Sequence, residues 1–325
     1  MRGLCDSTQR PINYLRIAVT DRCNLRCIYC MPPSGVKLMH HDEVLRYEEI
    51  VRIAQAAAEL GISKLRLTGG EPLVREELPV LVRMLASLDG IDDLSMTTNG
   101  VLLKRYANIL KSSGLKRVNI SLDSLSREKY QSITGHDSLG EVLAGMTAAI
   151  SAGLDPVKLN VVVMRGVNDN EILDFAKMTI SDGWHVRFIE KMPFAGIPEM
   201  DSVSTGEVQE QLEAIGKLEA CPPRTGNGPA KYFRYEGATG TIGFISPVSE
   251  HICFSCNRLR LTVDGKLRPC LLNDYEIDIK STLRAGAVMD DIKELIQQAV
   301  AAKPKGHRLD DGISPKGRSM SQVGG

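Results

Sequence analysis

Six of the eight cysteines fall into two tight groups: Cys23, Cys27 and Cys30, spaced C-x3-C-x2-C, and Cys253, Cys256 and Cys270, spaced C-x2-C-x13-C. Three thiolates in so short a span can hold three irons of a cubane cluster and leave the fourth iron without a protein ligand. An iron with an open position is a place for chemistry. Structural zinc asks instead for a closed tetrahedron of four ligands. No fourth candidate lies close to the first group, since His40 and His41 come ten residues on; His251 could complete the second, which keeps a zinc site open there. Cys5 and Cys221 stand alone and read as small hydrophobes.

A glycine pair stands in Thr68-Gly69-Gly70-Glu71-Pro72. Glycines there let the backbone approach a ligand or take positive φ, although alone the motif reads as an ordinary turn. Polar and cationic residues also recur at alternate positions. Arg16, Ala18 and Thr20 oppose Leu15, Ile17 and Val19; Lys64, Arg66 and Thr68 oppose Leu65 and Leu67. Asn119, Ser121 and Asp123, and then Lys158 and Asn160, follow the same rule. A period of two places each set on one face of a strand. Unpaired buried charges are costly, so that face cannot be packed dry; a wet, curved interior that takes an anionic ligand satisfies it.

The elements that must carry these residues are legible as strand-like runs at 14–20, 64–68, 93–98, 116–122, 157–164 and 184–190. Amphipathic helices lie between them. One face gathers Tyr47, Ile50, Val51, Ala54 and Ala58, and a second Leu78, Leu81, Val82, Leu85 and Leu88. A third gathers Val142, Leu143, Met146, Ala149, Ile150 and Gly153. Repeated βα units predict an α/β fold with a parallel sheet and right-handed crossovers. A sheet covered on both faces reads as continuous apolar runs, so the polar face favours a partial barrel over an open sheet. Pro193, Pro198, Pro222, Pro223 and the glycine-rich 224–229 break the rhythm, which predicts a core over 1–195 and a smaller module over 196–325. The tail ending in Gly324-Gly325 is of a kind that usually frays.

Composition excludes some partners. The 325-residue chain is 43% hydrophobic and 25% charged, with 40 basic and 40 acidic side chains, so no global field steers it to nucleic acid or membrane. No run approaches the roughly 18 apolar residues of a membrane span, and 1–16 lacks the apolar run of a signal peptide. The expected address is the cytoplasm, where clustered cysteines favour metal binding or catalysis over disulfides.

The stretch from Thr20 to Met31, with Tyr29 before its third cysteine, resembles the radical S-adenosylmethionine superfamily, as does Gly69-Gly70-Glu71-Pro72. That resemblance implies a partial (βα)6 TIM-like barrel, with the first triad following the first strand. It also implies reductive cleavage of S-adenosylmethionine to a 5′-deoxyadenosyl radical. The segment C-x2-C-N-R-L-R-x9-C, together with Tyr14-Leu15-Arg16, Asn119 to Leu125 and the terminal Gly324-Gly325, resembles the GTP 3′,8-cyclase family of molybdenum cofactor biosynthesis over essentially the whole chain.

The second resemblance implies two cubane (4Fe–4S) clusters, with the second binding the guanine of GTP in a C-terminal module. Hydrogen abstraction from ribose C3′ and attack on guanine C8 would give (8S)-3′,8-cyclo-7,8-dihydroguanosine 5′-triphosphate. Carried over by position, Tyr29, Gly70, Ser121 and Met192 contact S-adenosylmethionine. Arg16, Arg66, Thr97, Lys158, Arg258, Leu259 and Arg260 contact GTP, and Gly324 and Gly325 reach the reacting centre. It further implies a one-electron donor such as a flavodoxin or ferredoxin, a chain that can pair as a homodimer, and a product passed to cyclic pyranopterin monophosphate synthase. Two rivals stay open: a peptide-modifying radical enzyme with auxiliary clusters, and a zinc-stabilised binding module.

Overall fold

The computed structural model describes residues 3–32, 34–194, 197, 201–250, 252–309 and 311–324. Six parallel strands form its centre: β1 (Tyr14–Ala18), β2 (Lys64–Thr68), β3 (Asp93–Thr98), β4 (Arg117–Ser121), β5 (Val157–Val163) and β6 (His185–Glu190). Each matches an expected run to within about two residues at its ends, where boundaries are softest. The outward residues Leu15, Ile17, Leu65, Leu67, Val118, Ile120 and Leu159 are completely buried against the helices. Each contributes on the order of 1.5–3 kcal/mol by leaving water.

The crossover helices are α1 (Tyr47–Glu59), α2 (Leu78–Ala86), α3 (Leu103–Ser112), α4 (Arg127–Thr134), α5 (Leu139–Ser151) and α6 (Ile172–Ser181). The face expected for α2 is buried, whereas that expected for α1 is rotated: Ile50 and Ala54 are buried together with Ile53, Ala56 and Ala57, and Tyr47, Val51 and Ala58 are only half-buried. That expected for α5 is corrected. Leu143 and Ile150 are 41% and 55% exposed, and the buried stripe is Leu139, Val142, Gly145, Met146 and Ala149. Gly145 explains the rotation: a Cβ there would stand 2.4 Å from the carbonyl oxygen of Gly100, so α5 presses its glycine onto the turn after β3. Apolar residues nearly all round α5 left the facing stripe ambiguous to periodicity.

Residues beyond 195 extend the same sheet at both edges. The helix α7 (Thr205–Leu212) and strands β7 (Leu218–Ala220), β8 (Lys231–Tyr235) and β9 (Thr241–Ile245) add to one side, with β9 parallel to β6. On the other side β10 (Arg258–Leu261) runs parallel to β1, followed by β11 (Lys266–Arg268) and β12 (Ile277–Asp278). The order across the twelve strands is β12-β11-β10-β1-β2-β3-β4-β5-β6-β9-β8-β7. Helices α8 (Lys280–Arg284) and α9 (Met289–Ala301) close onto α1 through the ion pairs Arg284–Glu49 at 2.7 Å and Lys293–Glu59 at 2.6 Å. A final helix, α10 (Met320–Val323), returns to β1. No helix among the described residues is long and apolar enough to cross a membrane.

Candidate active site

The first triad follows β1 on a loop whose start is held by backbone hydrogen bonds. Gly70 N–H donates to the Thr20 carbonyl at 2.7 Å, and Glu71 N–H to the Arg22 carbonyl at 2.8 Å. The glycine pair is required by this contact. A Cβ on Gly69 would lie 2.3 Å from the Thr20 oxygen, and one on Gly70 2.2 Å from the Arg22 oxygen. The closest approach the two glycines permit is therefore to the cysteine loop, and Gly70 lines the cavity from that position. Tyr29 pins the far end of the loop by donating its hydroxyl to Asp123 at 2.7 Å. Glu71 accepts from the Thr98 hydroxyl and the Asn99 amide, both at 2.7 Å, which joins the ends of β2 and β3.

The second triad belongs to the opposite mouth. Because β10 runs parallel to β1 with Tyr14 opposite Arg258, Cys256 precedes the amino end of the barrel. Cys270 follows β11, which runs antiparallel to β10, and so returns to the same end. Lys303 ties this region together, donating to the Arg258 carbonyl at 2.7 Å and the Pro269 carbonyl at 2.6 Å. All six cysteines are free thiols lining one cavity. The five residues of β1 that separate the mouths span roughly 16 Å, about the reach of a nucleotide.

Between the triads lie the cations. The register sets Arg260, Arg16 and Arg66 side by side across β10, β1 and β2, and Thr97, Asn119 and Lys158 side by side across β3, β4 and β5. Arg66, Lys158 and Arg187 are 3%, 2% and 8% exposed. Arg66 and Lys158 meet neutral partners: Arg66 donates to the Tyr14 phenol and to Thr97, and Lys158 to the Thr225 carbonyl and the Tyr232 phenol, both at 3.2 Å. Nε and Nη2 of Arg187 have no hydrogen-bond partner. Burial, then Arg187, Arg117 and Arg66, press the Lys158 ammonium down to about 7. Burial and Arg258 bring Arg260 down to about 9. Burial works to raise the Tyr14 phenol, but Arg66 and Arg16 outweigh it and bring it to about 8. Such crowding is relieved by an anion with several oxygens, which guanidinium forks bind in pairs.

The two triads differ electrically. Burial holds the thiols of Cys23 and Cys30 up at about 11 and about 12. Burial also works against the Cys256 thiolate, yet Arg258 and Lys303 outweigh it and bring the thiol to about 6. Among the described residues no group of His, Cys, Asp and Glu is arranged to hold a single metal ion. Three sulfurs without oxygen or nitrogen are the donor set of an iron–sulfur cluster, and each triad supplies it.

Tyr29, Gly70, Ser121, Met192, Arg16, Arg66, Thr97, Lys158, Arg258 and Arg260 all line the cavity. Leu259 does not: its side chain is 1% exposed and belongs to the apolar core on the other face of β10. Gly324 sits at the carboxyl end of the barrel with φ +73°, where a Cβ would stand 2.1 Å from the Thr68 hydroxyl. Arg260 donates to its carbonyl. Gly325 and His251 lie outside the described residues. Sequence reasoning missed Arg117, Arg187 and Tyr232. The alternation already used for the other strands, carried into His185-Val186-Arg187, would have found Arg187; nothing local marks Tyr232.

Residues 17–179 match the Radical SAM superfamily model, and residues 184–309 match the Molybdenum Cofactor Synthesis C model. A curated GTP 3′,8-cyclase of Moorella thermoacetica is 52% identical over 98% of this chain and 99% of its own length. One from Pelotomaculum thermopropionicum is 50% identical over 98% and 99%. Among solved structures, anSMEcpe with bound AdoMet superposes with a TM-score of 0.63 at 14% identity, covering 94% of this chain and 80% of that one. Streptococcus suis SuiB bound to S-adenosylmethionine gives 0.62 at 13%, covering 87% and 68%. These two share the fold.

Proposed function

The chain belongs to the GTP 3′,8-cyclase family of radical S-adenosylmethionine enzymes, and we propose that it converts GTP to its 3′,8-cyclised dihydro triphosphate at the start of molybdenum cofactor biosynthesis. One observation carries this reading: two sulfur triads face each other through a single cavity whose wall between them is cationic. When bound, the cluster at Cys23, Cys27 and Cys30 supplies the electron that splits S-adenosylmethionine, and that at Cys253, Cys256 and Cys270 offers an iron to the guanine.

The chain's own residues then position and protect. Tyr29, Gly70, Ser121 and Met192 surround S-adenosylmethionine at the carboxyl mouth. Arg258 and Arg260 flank the base, while Arg16, Arg66, Thr97 and Lys158, joined by Arg187, take the phosphates. The ribose is thereby held between the triads, with C3′ turned to the first mouth and C8 close enough for the new bond. Gly324 covers the reacting centre from the tail, and the catalytic role proposed for the pair extends to Gly325. We assign the barrel core to 1–195 and the cluster- and substrate-binding module to 196–325. A small one-electron carrier such as a flavodoxin or ferredoxin would reduce the first site, a homodimer is the proposed assembly, and cyclic pyranopterin monophosphate synthase would take the product. The proposed location is the cytoplasm.

The test is anaerobic turnover of the reconstituted chain with GTP, S-adenosylmethionine and reductant. 5′-Deoxyadenosine and a cyclised purine in equal amounts are expected. Cleavage of S-adenosylmethionine that GTP leaves unchanged, with no cyclised product, would return the chain to a different radical chemistry.

A further inference from the structure

A barrel's interior is ordinarily filled by layers of side chains from its strands. Here the centre is hollow, and the amino-terminal mouth is crossed by one glycine-rich segment, Arg224-Thr225-Gly226-Asn227-Gly228-Pro229. Thr225, Gly226, Gly228 and Pro229 line the cavity. The segment is pinned on opposite sides. At one side Arg224 donates to Asp155 at 3.1 Å and meets His185 Nε2 at 3.3 Å, just ahead of β5 and at the start of β6. At the other, the Asn227 side chain donates to Asn13 at 3.1 Å, ahead of β1, and the Asn227 carbonyl accepts from Asn257 at 3.3 Å, ahead of β10.

Between these pins the backbone meets the cations. Lys158 Nζ donates to the Thr225 carbonyl at 3.2 Å. Gly226 has φ +81°, and a Cβ there would stand 3.2 Å from the Arg117 guanidinium. Tyr232, three residues after the segment, receives the same ammonium at 3.2 Å and lies under it, 5.0 Å from ring centroid to nitrogen. Gly243 on β9 keeps this corner open, since a Cβ would come within 2.8 Å of the Arg187 stem.

We propose that segment 224–229 is the floor of the substrate cavity and selects for the length of the phosphate chain. Without nucleotide, the Thr225 carbonyl and the Tyr232 phenol occupy the Lys158 ammonium as neutral stand-ins for phosphate oxygen. Only a chain that reaches Lys158 and Arg187 replaces them with a charge-assisted contact. A shorter chain leaves Lys158 on its carbonyl and gains nothing from it. Specificity of this kind is a difference between two affinities, part of it set by what the shorter ligand fails to displace. The inference rests on the guanosine triphosphate reading of the cavity.

The experiment measures the affinities of anaerobically reconstituted holoprotein for GTP, GDP and GMP by calorimetry. The wild-type protein should prefer GTP to GDP by on the order of tenfold or more, as one charge-assisted hydrogen bond predicts. Gly226→Asn keeps a residue that tolerates positive φ but pushes a side chain toward Arg117. It should weaken GTP by on the order of tenfold and leave GMP within about twofold. Arg224→Ala frees one pin and should shrink the GTP-to-GDP ratio. A wild-type ratio in both variants overturns the proposal, as does an equal loss for all three nucleotides. Wild-type protein that binds no guanine nucleotide would count against the functional reading instead.

Discussion

The guanidinium of Arg260, on the strand that completes the sheet beside β1, donates to the backbone carbonyl of Gly324. A cation from the cavity wall thus holds the carbonyl of Gly324. Deleting Gly324 and Gly325 should abolish the cyclised product while both clusters and GTP binding persist, as iron content and calorimetry would report. Two residues added after Gly325 should also impair turnover, because the tail would be displaced from the Thr68 hydroxyl it now packs on. Full turnover by the truncated protein would return the tail to ordinary fraying.

Arg318 anchors that tail. It reaches Glu276 at 2.6 and 2.8 Å and Asp264 at 2.8 Å, while the Lys316 and Gly317 amides donate to Asp274 at 2.8 and 3.2 Å. Arg318→Ala removes three charge-assisted bonds worth about 1.5–3 kcal/mol each, so the docking equilibrium of the tail should fall by well over tenfold. Hydrogen exchange of the 320–324 amides would show it directly, and Arg318→Lys should restore part of the protection. Unchanged exchange would make Arg318 a surface ornament of the β11–β12 corner.

Arg258→Ala or Arg260→Ala should cost on the order of tenfold or more in GTP affinity, while slow uncoupled cleavage of S-adenosylmethionine survives. Loss of thermal stability with GTP affinity intact would make these arginines structural.

Lys158 gives the site a proton linkage. Its pKa of about 7 in the free protein lies below the ordinary lysine value. A phosphate placed beside it favours the ammonium and raises that value. Near pH ~8 the free side chain is therefore mostly neutral and must gain a proton when GTP binds, so affinity should fall as pH rises above about 7. Calorimetric enthalpies measured in buffers of different ionisation enthalpy should reveal the uptake. Equal enthalpies in all buffers would show that Lys158 is already charged or stays clear of the phosphates.

Reconstituted protein should carry about eight irons per chain, and replacing either triad by alanine should leave about four. Zinc at the second triad after strictly anaerobic preparation would remove its role toward the substrate.

What could be read from the sequence was whatever a period of two or a short spacing reports. The alternation of Arg16, Arg66 and Lys158 against apolar neighbours marked both the hollow interior and its charge, because strand geometry forces those residues onto one face. Cys23, Cys27 and Cys30 were equally plain. Arg117 stood at a strand end, where an ion pair with Asp93 could not be told from a surface charge. The placement of Cys256 at the mouth opposite Cys23 depended on β10 finding β1, a pairing that no local pattern encodes. Tyr232 and segment 224–229 entered the site the same way, through long-range closure of the sheet.

That closure has a temporal side. Asn13 and Asn257, hydrogen-bonded at 2.8 Å beside the first pairing of β1 with β10, are separated by 244 positions in the chain. A chain growing from a ribosome offers the first triad early, whereas the strand that flanks β1 arrives only near the end of synthesis. Contacts this distant form late and slowly. Until then β1 is an unpaired edge beside an assembled cysteine loop, exposed to solvent and to other chains. A nascent enzyme therefore presents its first triad and its phosphate-facing cations before Arg258, Arg260 and Cys270 exist. Premature termination between β6 and Arg258 would release a polypeptide that carries the first triad but lacks Arg258, Arg260 and Cys270.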